Sequence, residues 1–209
     1  MFSLSLRDVE LLLAERGINV SYETVRRWCR KFGPSFAHGL RRRPRTGDKW
    51  HLDEVFIRIQ EVQHCLWRAV DQDGVALDIL VQDRRDAKAA KQFFRRLLKG
   101  LQYVPRVIIT DKLRSYGVAQ RHLLPDVEHR QSRYLDNRAE NSHRPTRRRE
   151  RQMQRFKSPG QAQEFLSAHA FIHGHFHLRR HLIAATAYRT IGAEAFNVWR
   201  RETCVRSAG

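Results

Sequence analysis

Asp53 interrupts the apolar face of an alternating run, His51-Leu52-Asp53-Glu54-Val55-Phe56-Ile57-Arg58-Ile59, and shares that face with Val55, Ile57 and Ile59. A carboxylate on the apolar face of a strand is costly unless it is paired or binds a metal. Asp111 follows Arg106-Val107-Ile108-Ile109-Thr110, a short apolar run that reads as a buried parallel strand. Its place at the carboxyl end of that strand is where open α/β sheets put their sites. Acids on adjacent strand ends converge within metal-bridging distance, and a third ligand is expected from a later element. Glu140, in Leu135-Asp136-Asn137-Arg138-Ala139-Glu140-Asn141-Ser142-His143, opens the helix predicted to close the sheet. Three hard oxygen ligands suit Mg²⁺ or Mn²⁺ rather than zinc. Two such ions activate the attacking oxygen and stabilise the leaving oxygen of an in-line phosphoryl displacement. Spacing alone leaves a second reading open, in which Asp53 and Asp111 are ordinary strand-end residues or structural pairs.

The elements that must position these acids follow from periodicity. Residues 51–59, 65–70 and 75–81 alternate as three strands, the last two joined by the turn Asp71-Gln72-Asp73-Gly74. Residues 86–99 switch to helical spacing, with Ala87, Ala90, Phe93, Phe94, Leu97 and Leu98 apolar and Gly100 expected to stop the helix. The strand at 106–110, a weaker helix over 112–123 and a last strand at Val127-Glu128-His129-Arg130 come next. From Asn137 the chain is expected to be mainly helical, with Ser158-Pro159-Gly160 dividing two segments. Three antiparallel strands, a helix, a parallel strand, a helix, a strand and a closing helix describe a ribonuclease-H-like α/β layer.

Ahead of it the first 33 residues read as two helices. Ser5-Leu6-Arg7-Asp8 has the form of a capping box, Val9, Leu12 and Leu13 share a face, and Gly17 breaks the pattern. Ser21 is a second N-cap, before the stripe Val25, Trp28, Cys29 and Phe32. This is a helix-turn-helix layout, although an ordinary amphipathic hairpin has the same pattern. Its second helix presents Tyr22, Arg26, Arg27 and Arg30 for a DNA groove and its phosphates. The expected organisation is therefore a helix-turn-helix segment at 1–33, a basic linker at 34–48, a catalytic core at 49–157 and a helical segment at 158–209.

Charge points to the same class of partner. The 209 residues carry 40 Lys+Arg and 22 Asp+Glu, so 40 − 22 = +18, and 33 of the 40 are Arg. Arginine's planar fork suits phosphate. Two footprints stand out: residues 1–45, with ten basic and four acidic residues, and residues 138–157, with eight and two. In the second, Arg144, Arg147, Arg148 and Arg151 recur at helical spacing, and like charges so spaced repel unless they face a polyanion. Asn137, Asn141 and His143 sit beside the expected acid, and Lys112 follows Asp111 as a phosphate contact.

Other classes are disfavoured. No stretch reaches the roughly 18–20 apolar residues of a membrane span. Arg7, Asp8 and Glu10 interrupt the N-terminal apolar run, so it does not read as a signal peptide. Cys29, Cys65 and Cys204 are scattered, without a disulfide or zinc-ribbon pattern. His169, His173, His177 and His181 would stack on a helix with His175 between them, but no cysteine or acid accompanies them. His177-Leu178-Arg179-Arg180 with Tyr188 imitates a tyrosine-recombinase set, but the tyrosine follows too closely to lie on a separate element.

Trp50-His51-Leu52-Asp53-Glu54, Arg68-Ala69-Val70-Asp71, Thr110-Asp111-Lys112, Glu128-His129-Arg130-Gln131 and Asn137-Arg138-Ala139-Glu140 occur in this order. Arg84-Arg85-Asp86-Ala87-Lys88-Ala89-Ala90 and Phe156-Lys157-Ser158 accompany them. Together they resemble the catalytic core of bacterial insertion-sequence transposases of the IS6 family, in the Asp-Asp-Glu superfamily, over nearly the whole chain. The resemblance implies a ribonuclease-H-like fold with Asp53, Asp111 and Glu140 as metal-binding catalytic acids, and Mg²⁺, with Mn²⁺ as its substitute, as cofactor. It implies cleavage at element ends and transfer of the freed 3′-hydroxyl into target DNA, without a covalent enzyme–DNA intermediate. DNA is the implied partner, with a homo-oligomer assembled on it, no membrane, and a bacterial cytoplasmic, nucleoid-associated location. Family members have more residues before Phe2, so the helix-turn-helix segment is expected to be incomplete. The interval from Asp111 to Glu140 is short for the superfamily, which leaves Glu150 as a rival third acid. A silent DNA-binding derivative and a ribonuclease-H-like nuclease are the alternative activities.

Overall fold

A computed structural model describes residues 4–41, 47–132, 143, 156–176 and 184–203. It divides into two compact units, one formed by Met1–Arg43 with Phe171–Gly209 and the other by Pro44–Ala170. Among the described residues no helix is long and apolar enough to cross a membrane.

In the Pro44–Ala170 unit, β1 (Lys49–Ile59), β2 (Val62–Asp71), β3 (Ala76–Gln82), β4 (Val107–Thr110) and β5 (Glu128–Gln131) form one sheet in the order β3-β2-β1-β4-β5. The first three strands pair antiparallel, and β4 and β5 run parallel to β1. This order and these directions make the sheet ribonuclease-H-like, as the periodicity implied. Two helices, α3 (Ala87–Leu101) and α4 (Arg114–Leu123), contribute Phe93, Phe94, Leu97, Tyr116 and Ala119 to the main core with Trp50, Leu52 and Trp67. Trp67 and Trp50 are fully buried; the Trp50 indole donates to the Tyr103 hydroxyl at 3.1 Å, which donates to the Gly47 carbonyl at 3.2 Å. That relay satisfies a buried indole N–H, the usual condition for placing tryptophan in a core.

Two turns of this sheet contrast. Asp71 Oδ1 accepts the amides of Asp73 and Val75 at 2.8 and 2.9 Å, and Gly74 takes a φ of 73°. The β1–β2 hairpin instead turns on Gln60 and Glu61, both left-handed at φ 48° and 64° and neither of them glycine or asparagine.

The expected stop of α3 at Gly100 is not observed. The helix continues through Leu101, which packs against the core, and Gln102 takes the left-handed cap at φ 58°. Packing, rather than the local breaker, sets that end.

After Ser158, whose hydroxyl accepts the Gln161 amide at 3.1 Å, α5 (Pro159–Phe176) begins with proline at its first position, where no amide is missed. Gln163 of α5 lies along β3: its Oε1 accepts the Val81 amide at 2.8 Å and its Nε2 donates to the Ile79 carbonyl at 3.0 Å. Residues 158–170 thus belong with the sheet, while Phe171 onward groups with the N-terminal helices, a division different from the expected boundary at 157.

In the other unit, Ser5 and Asp8 form the expected capping box of α1 (Leu6–Ala14). Gly17, at φ 76°, ends it; its amide reaches Ala14 O at 2.9 Å, and the Ile18 amide reaches Leu13 O at 2.9 Å, a Schellman arrangement. Ser21 caps α2 (Tyr22–Arg41), accepting the Thr24 amide at 3.3 Å.

Two expectations fail here. The linker was to start at residue 34, yet α2 runs through Pro34 to Arg41. The proline's local cost is offset by tertiary burial of Ala37 and Leu40 and by an edge contact of Phe36 with Trp199 of α6 (Ala185–Thr203) at 5.6 Å. The stripe Val25, Trp28, Cys29 and Phe32 is not a buried face either. Val25 is buried, but Trp28 is 43% and Phe32 40% exposed, and Cys29 is exposed. Contacts of Phe176 with Phe196 and Trp199 complete this unit's aromatic cluster.

Candidate metal centre

The site forms where β1 lies beside the carboxyl end of β4. Successive residues of a strand leave it on opposite faces, so Asp53 and its neighbour Glu54 have different packing neighbours although their carboxylates come close. Asp53 shares a face with Arg68, directly opposite it on β2, and its Oδ2 lies 3.5 Å from His143 Nε2. Glu54 shares its face with Trp50 and Leu52, on the side of α4. Asp111 stands just past β4, at the strand end, and one carboxylate oxygen each from Asp53, Glu54 and Asp111 lie within 4.8 Å of one another.

Asp111 is held from two sides. Its Oδ1 accepts the Leu113 amide at 2.8 Å, starting the turn into α4, and its Oδ2 faces Arg85 Nη2 at 3.7 Å. Just before it, the Thr110 hydroxyl donates to the Asp111 carbonyl at 2.8 Å and meets His129 Nε2 at 2.9 Å. Burial, with a smaller contribution from Arg121, holds the His129 imidazole below its usual pKa.

The electrostatics are those of crowded acids in a low-dielectric corner. Glu54 is raised above the usual carboxylate range, first by burial and then by Asp111, against the pull of Tyr116 and Arg85. Burial, and then the charge of Glu54, push Tyr116 well above the ordinary tyrosine value and the Cys65 thiol up to about 12. Burial also lowers the Arg68 guanidinium to about 10. Acids brought this close repel, and a divalent cation relieves the repulsion directly. An all-oxygen donor set fits a hard ion.

Two of the three expected acids, Asp53 and Asp111, are thus brought together. Glu140 and its rival Glu150 lie outside the described residues, as do Asn137, Asn141, Arg144, Arg147, Arg148 and Arg151. Lys112 is exposed beside Asp111. Of the expected groove-facing residues, Arg26, Arg27 and Arg30 are exposed on α2. Tyr22 is half-buried, with the guanidinium carbons of Arg7 and Arg26 at 5.3 and 5.6 Å from its ring centre. The histidine row does not gather as a metal site among the described residues: His169 stacks on Phe165, and His175 Nε2 donates to the Ala195 carbonyl at 2.7 Å. His177 and His181 lie outside the described residues.

Sequence reasoning missed Glu54, Arg85 and Tyr116 as parts of the site. A signal existed: an acid on the same face as Trp50 and Leu52 is as costly as one on the face of Val55 and Ile57. Arg58, further along that face, interrupts its apolar pattern, so Glu54 did not stand out as Asp53 did.

Comparison with known proteins is consistent with this geometry. The family model of the IS240-type transposase DDE domain matches residues 47–179. The chain is 35% identical over 150 residues to the transposase for insertion sequence-like element IS431mec of Staphylococcus aureus, covering 68% of this chain and 66% of the relative. The same identity and coverage relate it to the transposase for IS257 in transposon Tn4003 of Staphylococcus aureus. The chain thus spans just under two thirds of the length of these relatives. A solved structure of the HTLV-2 integrase catalytic core domain in complex with magnesium is similar at 13% identity and a TM-score of 0.46, over 59% of this chain and 83% of that one.

Proposed function

Because the chain belongs to the IS6 family of Asp-Asp-Glu transposases, we propose that it cleaves DNA at the ends of a mobile element and transfers the freed 3′-hydroxyl into target DNA. The observation that carries this reading is the convergence of Asp53, Glu54 and Asp111 oxygens within 4.8 Å, on the central strand β1 and just past the carboxyl end of β4. Asp53 and Asp111, joined by Glu140, are the proposed ligands of Mg²⁺, for which Mn²⁺ substitutes. Bound divalent cations there supply Lewis acidity to the attacking and leaving oxygens of a phosphoryl displacement. The protein's own contribution is orientation. The Leu113 amide fixes one oxygen of Asp111, and His143 sits against Asp53.

The exposed Arg26, Arg27 and Arg30 of α2, with Tyr22, are proposed to bind the element end. Lys112, Asn137, Asn141 and the arginines at 144, 147, 148 and 151 are proposed to hold DNA near the acids. Assembly as a homo-oligomer on DNA, in the cytoplasm of a bacterial cell at its nucleoid, belongs to the same proposal.

The test is strand transfer by the wild-type chain and by Asp53→Asn, with Mg²⁺, on duplex DNA carrying the gene's flanking sequence, searched first for terminal inverted repeats. Joined products from the wild type and none from the variant are expected. Full activity in Asp53→Asn overturns the assignment, and nicks without joined products replace it with a hydrolytic nuclease.

A further inference from the structure

The segment Arg84-Arg85-Asp86-Ala87-Lys88-Ala89-Ala90 carries part of the family resemblance, yet the proposed chemistry gives it no task. Most of it is structural. Asp86 caps α3 by accepting the Ala89 amide at 2.8 Å, and Ala89 and Ala90 are buried in the core. Arg85 differs. Its carbonyl accepts a hydrogen bond from the Ser115 hydroxyl at 3.0 Å, so α4 pins its backbone. Its Nε donates to Glu54 Oε1 at 2.6 Å, its Nη2 pairs with the same oxygen, and its guanidinium carbon lies 5.5 Å from the centre of the Phe56 ring. The same Nη2 reaches to 3.7 Å from Asp111 Oδ2. The Glu54 side chain is 2% exposed and that of Arg85 38%, so a buried acid tethers a half-open cation beside a metal-site acid.

We propose that Arg85 is a positioning residue that serves as the tethered counter-ion of Asp111 in the ion-free site and competes with the divalent cation for it. The proposal rests on reading Asp53 and Asp111 as metal ligands. The planar guanidinium serves two carboxylates at once, a task an ammonium performs less well. One oxygen of Asp111 is committed to the Leu113 amide, so the oxygen facing Arg85 is the one an arriving ion must share or take. Glu54 keeps the displaced guanidinium in the site instead of releasing it to solvent. Arg85 therefore sets the affinity for the ion below what the acids alone would give, and it keeps the crowded acids compatible until an ion arrives.

The test is Mn²⁺ binding to the full chain without DNA, read from the electron paramagnetic resonance signal of free Mn²⁺. Arg85→Ala is expected to bind Mn²⁺ roughly three- to tenfold tighter than wild type, the scale of a Coulomb interaction between partly exposed charges. Arg85→Lys, which restores the charge, is expected to return most of the way to wild type. A role limited to propping Asp111 gives the opposite sign, so unchanged or weaker binding in Arg85→Ala overturns the proposal. Should that variant not fold, Arg85→Gln keeps a donor for Glu54 without the charge and carries the same expectation and the same refutation. Asp53→Asn serves as the site control and is expected to abolish binding. Retained binding in that variant overturns the metal-site reading itself, and this inference with it; lost binding there without tightening in Arg85→Ala overturns the inference alone.

Discussion

His143 Nε2 lies 3.5 Å from Asp53 Oδ2, with the imidazole 2% and the carboxylate 15% exposed. An imidazole this close to a proposed ligand orients it and tunes its basicity, and loss of such a partner typically costs about 10- to 100-fold in activity or metal affinity. His143→Gln is expected to slow single-turnover strand transfer by roughly that factor while leaving DNA affinity, measured by fluorescence anisotropy, unchanged. Equal losses in both measurements would mean that His143 serves DNA binding instead.

The β1–β2 hairpin turns on two left-handed residues that bear side chains, Gln60 and Glu61. Asn-Gly fits that geometry without the steric cost. The double substitution Gln60→Asn with Glu61→Gly is expected to stabilise the chain by about 1 kcal/mol, visible as a higher Tm. A lower Tm would show that the turn does not hold this conformation in solution.

Asp78 on β3 is fully buried, and Arg96 of α3 donates to its Oδ2 at 2.9 Å. Removing the arginine leaves a carboxylate that has lost its charged partner inside the fold. Arg96→Met is expected to cost about 2–4 kcal/mol in urea unfolding, whereas Asp78→Asn with Arg96→Met should recover a large part of it. Additive losses in the double variant would show that the two residues act separately.

Burial first and Arg121 second hold the pKa of folded His129 below the usual 6.5. The unfolded chain therefore binds a proton at higher pH than the folded chain does, and stability rises with pH across that window. The contribution is complete above about pH 7 and is lost as pH falls through 6.5 toward the lower folded value. His129→Gln is expected to shrink the drop in Tm between about pH 7.5 and pH 5.5 relative to wild type. An unaltered pH dependence would place the titrating group elsewhere.

Much of the site was legible because its acids violate simple patterns. Asp53 breaks a period-2 apolar face and Asp111 ends a short buried strand; both signals are local. Glu54 was hidden because its face is split, closed by α4 at one end and open at Phe56. Only tertiary packing tells the two ends apart. The same cause hid the true length of α2. Gly33-Pro34 is a strong local breaker, but Phe36 packs on Trp199, far along the chain, and no window of neighbours contains that contact. The Gln60-Glu61 turn carries no turn residue at all, so its hairpin could be inferred from the flanking strands alone. The fold class and the antiparallel-then-parallel strand directions, in contrast, followed from the succession of elements, because crossover connections admit few topologies.

Gln163 hydrogen-bonds to the main chain of β3 from across 84 residues of sequence at its Ile79 contact. During synthesis β3 leaves the ribosome well before this glutamine exists. For that interval its outer edge is an open template on which another nascent chain can add a strand. The amide of one side chain later occupies one donor and one acceptor of that edge, the Val81 N–H and the Ile79 carbonyl. Truncations ending before residue 163 should therefore aggregate even where the five strands themselves are intact, and the seal on the sheet is the last part of that unit to be made.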